Sequence, residues 1–166
     1  MGDFKKMDKV LIVDPEKCTG CRLCESVCSL FHTGICNPSL SSIRIIKYEE
    51  EGIDMPTVCQ QCEESICLLS CPVNAISKDE KTGALITNEE RCIKCKTCLV
   101  VCPFGGATMD PKGKIIRCDL CGGNPTCVDF CQTKAISYAE VEKINMQLKR
   151  DRIKKIVKLN IISHDN

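Results

Sequence analysis

The sequence predicts an α+β chain of two tandem halves, with short strands, short helices and long ligand loops. Three observations lead there. Sixteen of the seventeen cysteines fall into four quartets: Cys18/21/24/28, Cys59/62/67/71, Cys92/95/98/102 and Cys118/121/127/131. Apolar runs beside those quartets repeat along the chain. Two Tyr, four Phe and no Trp in 166 residues leave few large side chains for an ordinary core.

The first element is a short apolar strand, Leu11-Ile12-Val13, followed by a polar turn, Asp14-Pro15-Glu16-Lys17, and the first ligand, Cys18. It aligns with Leu85-Ile86-Thr87-Asn88-Glu89-Glu90-Arg91-Cys92. Past the quartets, Cys71-Pro72-Val73-Asn74-Ala75-Ile76-Ser77 aligns with Cys131-Gln132-Thr133-Lys134-Ala135-Ile136-Ser137, and Cys102–Thr108 is a looser copy. Each unit therefore reads as strand, ligand loop, a short helical turn around the last ligand, and a second strand. Proline after Cys71 and Cys102 turns the chain away from a helix. Ser29 and Gln132 stand there in the outer quartets, so a different exit path is expected for both.

Thirty residues separate Cys28 from Cys59, and 43–48 within them alternate like a strand. Cys36 lies outside every quartet and reads as a small buried hydrophobe. His32 is not needed as a ligand, because the sixteen positions are filled. Two hairpins are expected, 75–78 with 84–87 and 107–109 with 114–117, across loops carrying Gly83 and Pro111-Lys112-Gly113. From Glu140 to Lys158 the chain is basic, seven Lys/Arg against three acids, and reads as a partly helical tail suited to a partner surface.

The cysteine spacing decides the chemistry. Structural zinc takes four ligands from two separated pairs, so the triple C-x2-C-x2-C of Cys18–Cys24 and Cys92–Cys98 offers one thiolate too many. Disulfide scaffolds belong to short secreted chains, and MGDFKKMDKV has no apolar core of signal-peptide length. Iron–sulfur cubes remain. Three closely spaced thiolates hold three irons of a [4Fe–4S] cube, and the fourth cysteine of the run ligates another cluster. Four quartets thus predict four [4Fe–4S] clusters, with metal binding supplying folding energy.

The formal charge of +1 counts cysteine as neutral. Four oxidised cubes with their thiolates would add about −8. Lys17, Arg22, Lys94, Lys96, Arg117 and Lys134 lie in or beside the loops and read as partial offsets of that charge. The 23 basic and 22 acidic residues are too evenly matched for nucleic-acid binding. No apolar run approaches a membrane span, so direct membrane insertion is not expected, and the cytoplasm is the expected location. No His/Asp/Glu constellation accompanies the cysteines, so the chain is not expected to be an enzyme by itself.

The spacing of the quartets resembles that of bacterial-type ferredoxins. Four of them in this order, with C-x2-C-x4-C-x3-C-P at Cys59–Pro72 second, resemble the four-cluster iron–sulfur subunits of molybdenum and tungsten oxidoreductases. That group includes the subunits of the dimethyl sulfoxide reductase type, formate dehydrogenases, tungsten benzoyl-CoA reductases, and the ferredoxin-like subunits of carbon monoxide dehydrogenase and hydrogenases. The compact length is most similar to the small subunits of tungsten aldehyde oxidoreductases and the carbon monoxide dehydrogenase type. The resemblance implies an electron-transfer subunit serving a large catalytic partner, with a soluble ferredoxin or a further redox subunit beyond it. The alternatives are a free-standing polyferredoxin, or the ferredoxin-like subunit of a carbon monoxide dehydrogenase, hydrogenase, formate dehydrogenase or benzoyl-CoA reductase.

The resemblance also implies which cysteines share a cube. Cys18, Cys21 and Cys24 would take Cys131, and Cys118, Cys121 and Cys127 would take Cys28. Cys59, Cys62 and Cys67 would take Cys102, and Cys92, Cys95 and Cys98 would take Cys71. Spacing alone leaves pairing of neighbouring quartets open. On this scheme 8–35 with 112–138 make an outer ferredoxin-like half, 36–52 an insertion, 53–111 an inner half and 139–166 a tail.

Overall fold

The computed structural model describes residues 9–140. In chain order they form β1 (Lys9–Val13), α1 (Leu23–Thr33), β2 (Arg44–Tyr48), β3 (Ile53–Thr57), α2 (Ile66–Leu69) and β4 (Ile76–Lys78). Then come β5 (Leu85–Thr87), α3 (Thr97–Val100), β6 (Ala107–Met109), β7 (Ile115–Arg117), α4 (Thr126–Asp129) and β8 (Ile136–Glu140). The basic tail falls almost wholly outside the described residues.

Every strand pairs antiparallel in a two-stranded sheet: β1 with β8, β2 with β3, β4 with β5 and β6 with β7. Both expected hairpins are present. The sequence repeat is also a pairing repeat. Val13 faces Ile136, and the equivalent Thr87 faces Ile76. One residue further, the Asp14 N–H donates to the Ala135 carbonyl at 2.8 Å and the Asn88 N–H to that of Ala75 at 2.7 Å. The strand entering the first quartet therefore lies beside the strand leaving the fourth. The strand entering the third lies beside the one leaving the second. Helix contacts follow suit, α1 packing on α4 and α2 on α3.

β3 had no clear signature in the sequence. It contains Pro56, which removes a ladder donor and disguises a strand, yet Pro56 sits opposite Ile45 in a regular register. Cys36 is a correction. It is exposed, because α1 ends at Gly34 in the left-handed region and the following loop runs over the surface.

The core holds Leu11, Ile43, Ile45, Val58, Ile76, Leu85, Leu120 and Ile136, packed with six quartet cysteines, Cys24, Cys28, Cys59, Cys67, Cys118 and Cys127. No aromatic side chain is buried among the described residues. Aliphatic area of this extent is small for the chain length, and the cysteines occupy the remaining interior.

Candidate metal centres

Each ligand loop is shaped by backbone conformation first. In all four quartets the residue before the second cysteine is left-handed: Gly20 at φ +63°, Gln61 at +50°, Lys94 at +56° and Leu120 at +59°. In the first and third quartets Arg22 (+60°) and Lys96 (+65°), just after it, are left-handed too and open the helices. Only Gly20 announces this in the sequence. A left-handed residue other than glycine costs about 1–2 kcal/mol. Alternating handedness also turns successive N–H groups toward one side, a concavity suited to negative charge.

The helical turn holds the third cysteine and stops before the fourth in three quartets: Cys67 in α2, Cys98 in α3 and Cys127 in α4. This corrects the expected turn around the last ligand. Only α1 continues through its fourth cysteine, Cys28, as Ser29 permits. The expected unusual exit thus holds for the first quartet and fails for the fourth. Three residues after Cys71, Cys102 and Cys131, a left-handed Asn74, Gly105 and Lys134 each donate an N–H back to the cysteine carbonyl at 3.2–3.3 Å. Gln132 occupies that turn as well as proline does. The following N–H groups of Ala75 and Gly106 donate to Cys71 Sγ and Cys102 Sγ, both at 3.3 Å.

The quartets do not keep to themselves. One cavity is lined by Cys18, Cys21 and Cys24 together with Cys131. A second is lined by Cys118, Cys121 and Cys127 with Cys28, and a third by Cys92, Cys95 and Cys98 with Cys71. Around Cys59, burial raises the thiol, and the charges of Cys67 and Cys102 push the same way. Gly106, beside Cys102, comes so close that a Cβ there would lie 2.6 Å from Cys59 Cα. Cys62 belongs to the same loop, between Cys59 and Cys67.

Electrostatics test whether this donor set fits iron–sulfur cubes. Burial pushes the Cys24 and Cys127 thiols up to about 12, and Cys118 also rises strongly through burial. Neighbouring thiolates add to the rise in each case. Packed thiolates without a cation repel one another, and bound iron reverses that balance. Cys28 behaves differently. Burial works against its ionisation, but hydrogen bonds involving His32, Ser41 and the Ser42 N–H bring it down to about 7. The sulfur-rich cavities, the inward N–H groups and the buried thiols fit [4Fe–4S] cubes, for which the sixteen quartet cysteines would supply the ligands.

Two neighbours of the loops take part in the site: His32, set aside as a ligand on sequence grounds, and Gln61, which the sequence did not single out. His32, one helical turn after Cys28, places Nε2 3.7 Å from Cys121 Sγ and 3.4 Å from Asp119 Oδ1. Its position i+4 from a quartet cysteine was the available signal. Gln61 is buried between loops, donating from Nε2 to the Cys118 carbonyl at 2.6 Å and accepting from the Leu85 N–H at 2.7 Å. Among the six basic residues, Lys17, Arg22, Lys94, Lys96 and Lys134 are exposed, and Arg117 alone is buried. No helix among the described residues is long and apolar enough to cross a membrane.

Comparison with known proteins agrees with this chemistry. Residues 51–141, more than half the chain, match the 4Fe-4S dicluster domain, and residues 9–30 match a 4Fe-4S binding domain. The chain is 50% identical over 123 residues to the polyferredoxin-like subunit of aliphatic sulfonate oxidoreductase from Pyrococcus furiosus, covering 73% of this chain and 70% of the relative. It is 34% identical over 162 residues to the electron transport protein HydN of Escherichia coli, covering 83% of this chain and 91% of that one. A chain of the active site complex BamBC of benzoyl coenzyme A reductase shares 28% identity at a TM-score of 0.50, over 82% of this chain and 78% of that one. The chain belongs to the 4Fe-4S dicluster family of ferredoxin-type iron–sulfur proteins.

Proposed function

We propose that this chain is the electron-transfer subunit of an oxidoreductase complex, carrying single electrons through four [4Fe–4S] clusters to or from a separate catalytic subunit. A [4Fe–4S] cube takes up and releases one electron with little change of geometry. The reading is supported by one observation above all: Cys71 lines one cavity with Cys92, Cys95 and Cys98. Exchange of fourth ligands between quartets is the ferredoxin arrangement. The same logic groups Cys131 with the first quartet, Cys28 with the fourth and Cys102 with the second, as two tandem ferredoxin-like halves.

The thiols also suggest an order of centres. Cys24 acts electrostatically on Cys127, Cys59 on Cys118, and Cys67 on Cys98. A path would run from the Cys18/21/24 centre to the Cys118/121/127 centre, then to Cys59/62/67 and finally to Cys92/95/98. Its two ends carry the exposed ligands Cys21 and Cys95, where electrons would enter and leave.

The partner proposed is a large catalytic subunit of a tungsten or molybdenum oxidoreductase, of which the aldehyde oxidoreductase type is one example. The relative named as a subunit of aliphatic sulfonate oxidoreductase supports an oxidoreductase partner, and the assignment of tungsten or molybdenum rests on the motif resemblance. A soluble ferredoxin or further redox subunit would exchange electrons at the opposite end, in the cytoplasm. Anaerobic purification of the tagged chain from its native cells tests the proposal. A co-purifying large subunit containing tungsten or molybdenum is expected. Recovery of the brown chain alone would instead indicate a free-standing polyferredoxin.

A further inference from the structure

We propose that Arg117 is a shared charge bridge between the two inner clusters, donating a hydrogen bond to the ligand set of one, lying against the wall of the other and raising both reduction potentials. The inference rests on the four-cluster reading above and assigns one residue a role within it.

Arg117 closes β7 directly before Cys118, and its backbone is anchored where its carbonyl accepts the Ser42 hydroxyl at 3.2 Å. Its side chain turns inward and the residue is only 8% exposed. Nη1 lies 3.4 Å from Cys67 Sγ, within the Cys59/62/67/102 group. Nε lies 3.4 Å from the Thr87 hydroxyl, and Thr87 lines the cavity of Cys71, Cys92, Cys95 and Cys98. The guanidinium thus spans from one group to the wall of the other.

Two further facts make this more than a structural arginine. Guanidinium stays protonated in proteins, so this is a permanent buried charge. Among the described residues no carboxylate pairs with it, and Nη2 is buried without any hydrogen-bond partner. A buried, unpaired cation is strongly unfavourable unless an anion lies beside it. The anions in reach are thiolates and the cubes they would hold, and the unpartnered Nη2 would be free to donate to a bound cube. Electrostatics point the same way, since the Arg117 charge opposes the upward shift of both Cys59 and Cys98.

A reduced cube carries one more negative charge than an oxidised one, so a fixed cation favours reduction. The geometry directs that bias to the inner pair: although Cys118 follows Arg117 in the chain, the guanidinium hydrogen bonds run to Cys67 and Thr87 and to no cysteine of the outer pair. The cations of the other loop residues are exposed and screened by water.

The test is a redox titration of the anaerobic holo-chain followed by EPR, with Cys102→Ser and Cys71→Ser variants identifying the inner signals. In Arg117→Gln, both inner reduction equilibria should shift at least tenfold against reduction, about 59 mV for one electron, while the outer two stay in place. Unchanged inner potentials, or an equal shift of all four, would overturn the proposal. Arg117→Lys guards against a variant that cannot fold. A lysine offers one compact charge in place of the fork, so at least one inner potential should fall, and no change in either overturns the bridge. Iron content is measured alongside. A wild type lacking about sixteen irons refutes the four-cluster reading; full iron with unmoved inner potentials refutes the bridge alone.

Discussion

The side-chain amide of Gln61 donates to the Cys118 carbonyl at 2.6 Å, tying the loop of the second quartet to that of the fourth. The same side chain accepts from the Leu85 N–H, so one buried residue fixes two ligand loops and β5 together. Gln61→Leu keeps much of the volume but leaves a buried carbonyl and a buried N–H unpaired. Each costs about 1–3 kcal/mol. An anaerobic thermal melt followed by visible absorption should show a lower Tm for this variant. An unchanged Tm would mean that the loops are held by their ligands alone.

Gly106 is required by contact. A Cβ there would fall 2.6 Å from Cys59 Cα and 3.1 Å from Cys59 N, backbone atoms that cannot swing aside. Gly106→Ala should therefore displace Cys59 or Cys102 and remove one cube, lowering iron by about four per chain. Full iron in the variant would show that the two loops can separate without loss of ligation.

Crossed ligation has its own test. Cys71 shares a cavity with Cys92, Cys95 and Cys98. In Cys71→Ser the EPR signal of the cube on that third quartet should change, and the cube on Cys59/62/67 should keep its spectrum. Loss confined to the latter would refute the crosswise grouping.

Much of this was legible in the sequence, because ligand spacing and hairpin turns are local. The strands 107–109 and 115–117 follow from a Pro-Lys-Gly turn, and the repeat of Leu11–Cys18 in Leu85–Cys92 reappears as identical strand register. What residue patterns alone left out depends on distant partners. β1 finds β8 across the whole described chain; nothing near Leu11 specifies Ile136, and only the family resemblance joined 8–35 to 112–138. The left-handed Gln61, Lys94 and Leu120 escaped because ordinary residues fill conformations usually given to glycine. Arg117 looked like its five exposed basic counterparts, since only tertiary packing separates it from them.

Iron should be part of the skeleton. The core has no buried aromatic among the described residues, and burial and neighbouring thiolates raise Cys24, Cys118 and Cys127. Removing iron with a chelator under anaerobic, reducing conditions should abolish most far-UV circular dichroism together with the brown colour. A colourless chain that keeps its secondary structure would assign the fold to aliphatic packing.

Anomalous diffraction at the iron edge, from crystals of anaerobically prepared protein, tests the central claim most directly. Four iron centres are expected, each held by the first three cysteines of one quartet and the last cysteine of another, with Arg117 between the inner two. Fewer than four centres, or fourth ligands kept within their own quartets, would contradict it.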